Sequence, residues 1–127
     1  MLSIKEITEL KAEIAFIRKE INHLNAEIAK NQQLLLQHNI EVVSARFPDI
    51  KHGDLVDVTT DSAAFNGHKE TKRYFFDKYI CAYGRTGEDT RHIQVRLTCI
   101  TKAGKPSKRD FVELSHYYIV SMKKVTE

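Results

Sequence analysis

Apolar residues recur every three or four positions from Ile7 to Val42, and beyond Gly53 the pattern changes to alternation. With heptad position a at Ile7, Ile14, Ile21, Ile28, Leu35 and Val42, position d falls at Leu10, Ile17, Leu24, Asn31 and His38. Nine of these eleven positions are apolar, which predicts a long helix with a coiled-coil seam. Ser3, three residues before Glu6, makes a capping box at its start. Residues 1–46 contain no Gly and no Pro. Pro48 then disfavours helix at Phe47, and Gly53 follows. These signals divide the chain into a helical part, 1–46, and a second part, 47–127.

The helix is too long for the second part to cover. Residues 7–42 extend about 54 Å at ~1.5 Å per residue. A domain of about 80 residues is only about 30 Å across. The stripe therefore predicts pairing with another helix. Position g holds Glu6, Glu13, Glu20 and Glu27, and position e holds Lys11, Arg18, Asn25 and Gln32. In a parallel pair, g meets the e position five residues on, which sets Glu6 against Lys11 and Glu13 against Arg18 of the other copy. An antiparallel homodimer would set Glu against Glu and cation against cation. Each contact contributes only about 0.2–1 kcal/mol, but all share a sign. The expectation is a parallel homo-oligomer. Ile at a with Leu at d favours two chains, and Ile17 at d leans toward three. Beyond Asn31 and His38, "LLL" at 34–36 widens the apolar face, which is expected to meet the second part.

The second part reads as five strands. "DLVDVTT" alternates after Gly53, and the polar stretch "DSAAFNGHKET" reads as a long loop with a turn at Asn66-Gly67. "KRYFFDKYICAYG" and "RHIQVRLTCITK" are long strands joined by "GRTGEDT". The turn "KAGKPSK" leads to "RDFVEL", then "SHYY" and "IVSMKKV". Five strands in about 75 residues, with one long loop after the first, predict a small closed barrel. The fold class expected for the whole chain is α+β, a parallel coiled-coil helix followed by a five-stranded barrel.

Composition narrows the function classes. The chain is 42% apolar, a foldable composition, yet no apolar run is long enough to span a bilayer. The first residues lack the apolar core of a secretory signal. Cys81 and Cys99 sit in strand-like runs with no Cys-x-x-Cys pair, so they are expected as inert core thiols. A reduced, cytoplasmic protein without metal or cofactor is the expectation. Asp49, His52, Asp54 and Asp57 read as turn chemistry rather than metal ligands. His68 is expected to cap a loop turn. His116 with Glu113 has the residue types of an acid–base pair, but is expected on the surface. No Gly-rich phosphate loop or nucleophile elbow is present.

Charge is uneven. Residues 1–46 carry six Lys/Arg and six Glu, so the net charge of +3 belongs to the second part. There Arg91, Arg96, Lys102, Lys105, Lys108 and Arg109 fall in one stretch that contains no acid. Tyr74, Phe75, Phe76, Tyr79 and Tyr83 lie in the neighbouring strand and occupy both parities, so one or two of them should be exposed. A basic hairpin beside exposed rings suits a nucleic-acid backbone with base stacking. The plainer reading is a hairpin whose lysines protect an edge strand.

"FVELSHYYIVSM" resembles the end of Src-homology-3-like (SH3-like) barrels, where a strand, a single-turn helix and a last strand follow in order. Leu114-Ser115-His116-Tyr117-Tyr118-Ile119 is similar to the Pro-Ser-Asn-Tyr-Val stretch of the peptide-binding members, and "HGDLVDV" resembles the Gly-Asp opening of many such barrels. The resemblance covers residues 50–125 at the level of fold. The chain has no Trp and no Tyr-Asp-Tyr loop motif, so it does not imply binding of Pro-rich peptides. The expectation is a non-enzymatic adaptor: a homo-oligomer that gathers SH3-like barrels and holds an unidentified protein partner, without membrane contact. Nucleic-acid binding through residues 91–109 is the alternative. An enzyme with its site between barrels is a third reading with no motif behind it.

Overall fold

Helix α1 (Ile4–Ser44) begins at the expected cap. Ser3 Oγ accepts the Glu6 backbone N–H at 3.1 Å, and Glu6 Oε1 accepts that of Ser3 at 3.3 Å. These bonds satisfy two donors that the first helical turn would otherwise leave unpaired. The computed structural model describes residues 1–62 and 68–126. The Asn66-Gly67 turn lies outside the described residues. The chain falls into two units, Met1–Leu34 and Leu35–Glu127. The first is helix alone, and its apolar stripe is exposed throughout.

In the second unit the end of α1 belongs with a five-stranded antiparallel sheet: β1 (Leu55–Ser62), β2 (His68–Cys81), β3 (Ile93–Ile100), β4 (Pro106–Ser115) and β5 (Ile119–Lys124). The strand order is β4-β3-β2-β1-β5. β2 is shared. Its first half pairs with β1, from Ser62↔His68 to Leu55↔Phe75, and its second half pairs with β3, from Phe75↔Thr98 to Cys81↔Ile93. The register shifts between Phe76 and Lys78, just after this changeover. A bulge there strengthens the local twist. Among the described residues no pairing between β4 and β5 closes the sheet. A single-turn helix at His116–Tyr118 connects these two strands.

The core consists of Phe47, Val56, Val58, Phe76, Val95, Leu97, Ile119 and Met122. Strand alternation supplies it: Ile93, Val95 and Leu97 are fully buried, with the more open Gln94, Arg96 and Thr98 between them. Full burial of each such side chain contributes about 1.5–3 kcal/mol.

Two expectations change. The polar stretch after β1 is mostly strand, because β1 runs to Ser62 and β2 starts at His68. Cross-strand pairs account for this. Asp57 lies opposite Arg73, Thr59 opposite Thr71, and Asp61 opposite Lys69. The two Thr hydroxyls are 2.8 Å apart, and Arg73 Nε donates to Asp57 Oδ1 at 2.8 Å. Opposite charges and Thr–Thr pairs on one face hold a hairpin without an apolar pattern. The "LLL" face also differs from expectation. Only Leu36 is half-buried, whereas Leu34 and Leu35 are exposed. The buried side of the helix end is Leu36, Asn39, Ile40 and Val43. This lies roughly a third of a turn from the a/d stripe. Leu35 and Val42, the last two a positions, stay exposed.

Candidate interaction surfaces

The helical stripe is the first candidate. Ile7, Leu10, Ile14, Ile17, Ile21, Leu24 and Ile28 are each 40–56% exposed, and Asn31 and His38 continue the d positions, also exposed. Seven large apolar residues in one row exceed the scattered exposure normal for a protein surface. The carboxylate of Glu6 already accepts from Ser3 at the helix start. Glu13, Lys11 and Arg18 are exposed beside the stripe.

The basic residues of 91–109 do not form one patch. Arg91 precedes β3, and Lys102 and Lys105 follow it, so they are separated by a strand roughly 25 Å long. Acids outside the stretch take up two of the cations, one from the neighbouring strand and one from the adjoining turn. Arg96 Nε is 3.2 Å from Asp77 Oδ2, and the Arg96 guanidinium lies 3.9 Å from the Phe111 ring centroid. Arg91 donates from its backbone N, Nε and Nη2 to Asp89. The Arg91 guanidinium and backbone N–H together pull the Asp89 carboxyl down to about 2. Lys102, Lys105, Lys108 and Arg109 remain at the β3–β4 turn and the start of β4. All four are exposed, and among the described residues none forms an ion pair. The aromatics do not sort by simple parity, because the register shifts between Phe76 and Lys78. Phe76 is in the core with Tyr74 and Tyr79 packed on it, Phe75 is half-buried, and Tyr83 and, from β4, Phe111 are exposed.

His116 is buried, not on the surface. Its ring is held from both sides: Nε2–H donates to Thr90 O at 2.8 Å, and Nδ1 accepts from Arg46 Nη1 at 2.9 Å. Arg46 also donates to the carbonyls of His116 and Ile119 at 3.1 Å each. Burial, and secondarily the positive charge of Arg46, holds the imidazole below its ordinary pKa despite the Thr90 bond. With both ring nitrogens partnered, His116 serves as a neutral tie between the end of α1, the turn at Thr90 and the start of β5. Glu113, exposed and opposite Arg96 in the register, takes no part in it. Asn39 makes a second tie, its buried Nδ2 donating to Gly87 O at 2.7 Å. Sequence reasoning passes over Arg46, Asn39 and Gly87, since none belongs to a local motif.

Three of the turn residues have structural partners. His52 Nδ1 is 3.1 Å from Asp77 Oδ1, Asp54 accepts from Lys51 N and lies 3.6 Å from Lys124 Nζ, and Asp57 pairs with Arg73. Cys81 and Cys99 are half-buried rather than buried. Cys81 Sγ donates to Arg85 O at 3.1 Å, and burial pushes its thiol pKa up, which disfavours the nucleophilic thiolate. Among the described residues no group of three or more His, Cys, Asp or Glu is placed to hold a metal, and no helix is long and apolar enough to cross a membrane. No protein-family model matches this sequence, and no curated protein matches it.

Proposed function

We propose that this chain is a non-enzymatic, homo-oligomeric interaction module, in which a parallel coiled coil gathers copies of an SH3-like β-unit that holds a protein partner. The observation that carries the reading is the a/d stripe from Ile7 to Ile28, about half exposed along its whole length. The e and g charges favour a second copy running parallel over an antiparallel one. The SH3-like part of the reading is supported by three features. β1 sits between β2 and β5, β2 is shared along its length, and a single-turn helix joins β4 to β5. Sedimentation equilibrium tests the reading. A dimer or trimer mass at tens of micromolar supports it, and a monomer refutes it.

A second reading is nucleic-acid binding, favoured by four exposed cations, Lys102, Lys105, Lys108 and Arg109, that form no ion pair among the described residues. Oligomerisation would multiply such weak contacts by avidity. A salt-sensitive mobility shift abolished in the double variant K105E/K108E would support it, and no shift at low salt would remove it.

A further inference from the structure

At the end of the sheet opposite the Lys102–Lys108 turn, the chain leaves β2 at Cys81 and re-enters at β3 through residues 82–92. This connection closes on itself. Ala82 N donates to His92 O at 2.7 Å, Arg85 N to Ala82 O at 3.0 Å, and His92 N to Asp89 O at 2.9 Å. Gly84, with φ of 77°, makes the tight turn that precedes Arg85. The result is an open pocket of about 290 Å³ lined by Ala82, Arg85, Arg91 and His92. Its volume is at the lower end of the ~300–1,000 Å³ of small-ligand sites.

The lining is cationic and partly unsatisfied. Arg85 is exposed, and among the described residues it forms no ion pair. Arg91 is held on one edge only: Asp89 Oδ2 takes its Nε at 3.2 Å and its Nη2 at 2.9 Å. A guanidinium has five N–H donors, so Nη1 and the second Nη2 proton are left. Arg91 is thereby oriented in advance, which lowers the ordering cost of binding. Asp89 offsets the charge of Arg91, leaving the charge of Arg85 uncompensated in the pocket. His92 lines the pocket as a third polar group. Two guanidinium groups and an imidazole match the oxygens of a tetrahedral anion better than any neutral or cationic ligand. Tyr117 and Tyr118, both more than half exposed, lie on the single-turn helix that His116 ties to Thr90, at this same end of the sheet.

We propose that this pocket binds a phosphate group, held by Arg85 and the uncommitted edge of Arg91 with His92 beside them. The site is independent of oligomerisation and of the lysine turn. The phosphate has two sources, a free anion or the backbone of a nucleic acid, and the pocket chemistry is common to both.

Amide and imidazole NMR shifts of the full-length chain test the proposal. One arm titrates inorganic phosphate against sodium chloride of matched ionic strength, and the other titrates a short oligodeoxythymidylate. Saturable shifts at Arg85, Arg91 and His92 are expected in the phosphate arm, weakened about tenfold or more in R85E and R85Q. Arg85 is exposed, so unchanged shift dispersion elsewhere confirms that both variants fold. Tighter binding of the oligonucleotide, with shifts spreading to Tyr117 and Tyr118, assigns the phosphate to a nucleic-acid backbone. Equal affinity in the two arms assigns it to the free anion. The absence of saturable shifts at these residues in both arms overturns the proposal, and so does identical titration of R85E and the parent chain. K105E/K108E should leave the phosphate arm unchanged, which separates this site from the lysine turn.

Discussion

Replacing Ile21 by Asp should break the proposed assembly while leaving the β-unit intact. Ile21 sits at the middle a position and is 49% exposed in the single chain. Full burial of an Ile or Leu side chain contributes about 1.5–3 kcal/mol, so burying the remaining half contributes about 1 kcal/mol. Seven such residues on each of two helices give roughly 10–20 kcal/mol before costs. Association costs on the order of 4–15 kcal/mol. At central values, about 15 kcal/mol gained against about 10 kcal/mol of cost, the proposed dimer is stable with little to spare. Ile21→Asp removes about 1 kcal/mol from each copy and places two carboxyl groups against each other in the seam. Neutralising one of them at pH 7 costs about 4 kcal/mol, from an ordinary pKa near 3.9. A loss of at least about 4 kcal/mol per dimer weakens Kd roughly a thousandfold.

Sedimentation equilibrium over a concentration series measures this directly. Circular dichroism adds a second readout, since most helical stability in proteins comes from packing an amphipathic face and helicity should follow association. Phe16→Asp is the control. Phe16 is 64% exposed at a c position outside the stripe, and its replacement should change stability by no more than about 0.5 kcal/mol. Equal masses for Ile21→Asp and the parent chain would refute the reasoning. Equal effects of the two substitutions would also refute it, because the heptad phase would then carry no information.

Four further outcomes follow from the β-unit. Arg46→Ala removes three donated hydrogen bonds and strands His116 Nδ1, so urea denaturation should show a loss of about 2–4 kcal/mol. The folded-state pKa of His116 lies below its ordinary 6.5, so the unfolded chain binds this proton more readily. The contribution of His116 is therefore complete above about pH 6.5 and is lost as pH falls from there through the folded-state value. His116→Gln should flatten stability across that window. Gly87→Ala should cost about 2–5 kcal/mol, because φ is 83° there and the new Cβ would meet Leu36 Cδ1 and Cβ at 2.5 and 2.9 Å. Leu36→Ala in the same chain removes the Cδ1 contact but keeps Cβ, so it should recover only part of the packing cost and none of the backbone cost, measured by a double-mutant cycle. Tyr79→Phe should raise stability by about 1 kcal/mol in thermal melts, since the Tyr79 hydroxyl is buried without a partner and burial pushes its pKa up to about 12.

What was legible in the sequence was local. The Ser3–Glu6 cap, the helix period and the alternation of Ile93, Val95 and Leu97 each need only neighbours within a few residues. What was not legible depends on partners far along the chain. The His116 ring is buried because Arg46, 70 positions away, and Thr90, 26 positions away, satisfy its two nitrogens. The acid-free run 91–109 loses Arg96 to Asp77 on the neighbouring strand, whereas its loss of Arg91 to Asp89 is local. The polar half of the β1–β2 hairpin reads as loop until Asp57, Thr59 and Asp61 are placed opposite Arg73, Thr71 and Lys69. The helix joins both cases. Its heptad stripe was visible as a pattern, whereas its second face, Leu36, Asn39, Ile40 and Val43, lies within the same apolar run and emerges only where the chain folds back through Gly87. That second face is buried by the chain itself, and the first is not. Both are apolar rows on one helix, so the difference between them cannot come from composition. It comes from which residues lie within the folded β-unit, and the proposed parallel copy is what the exposed row would take as its partner.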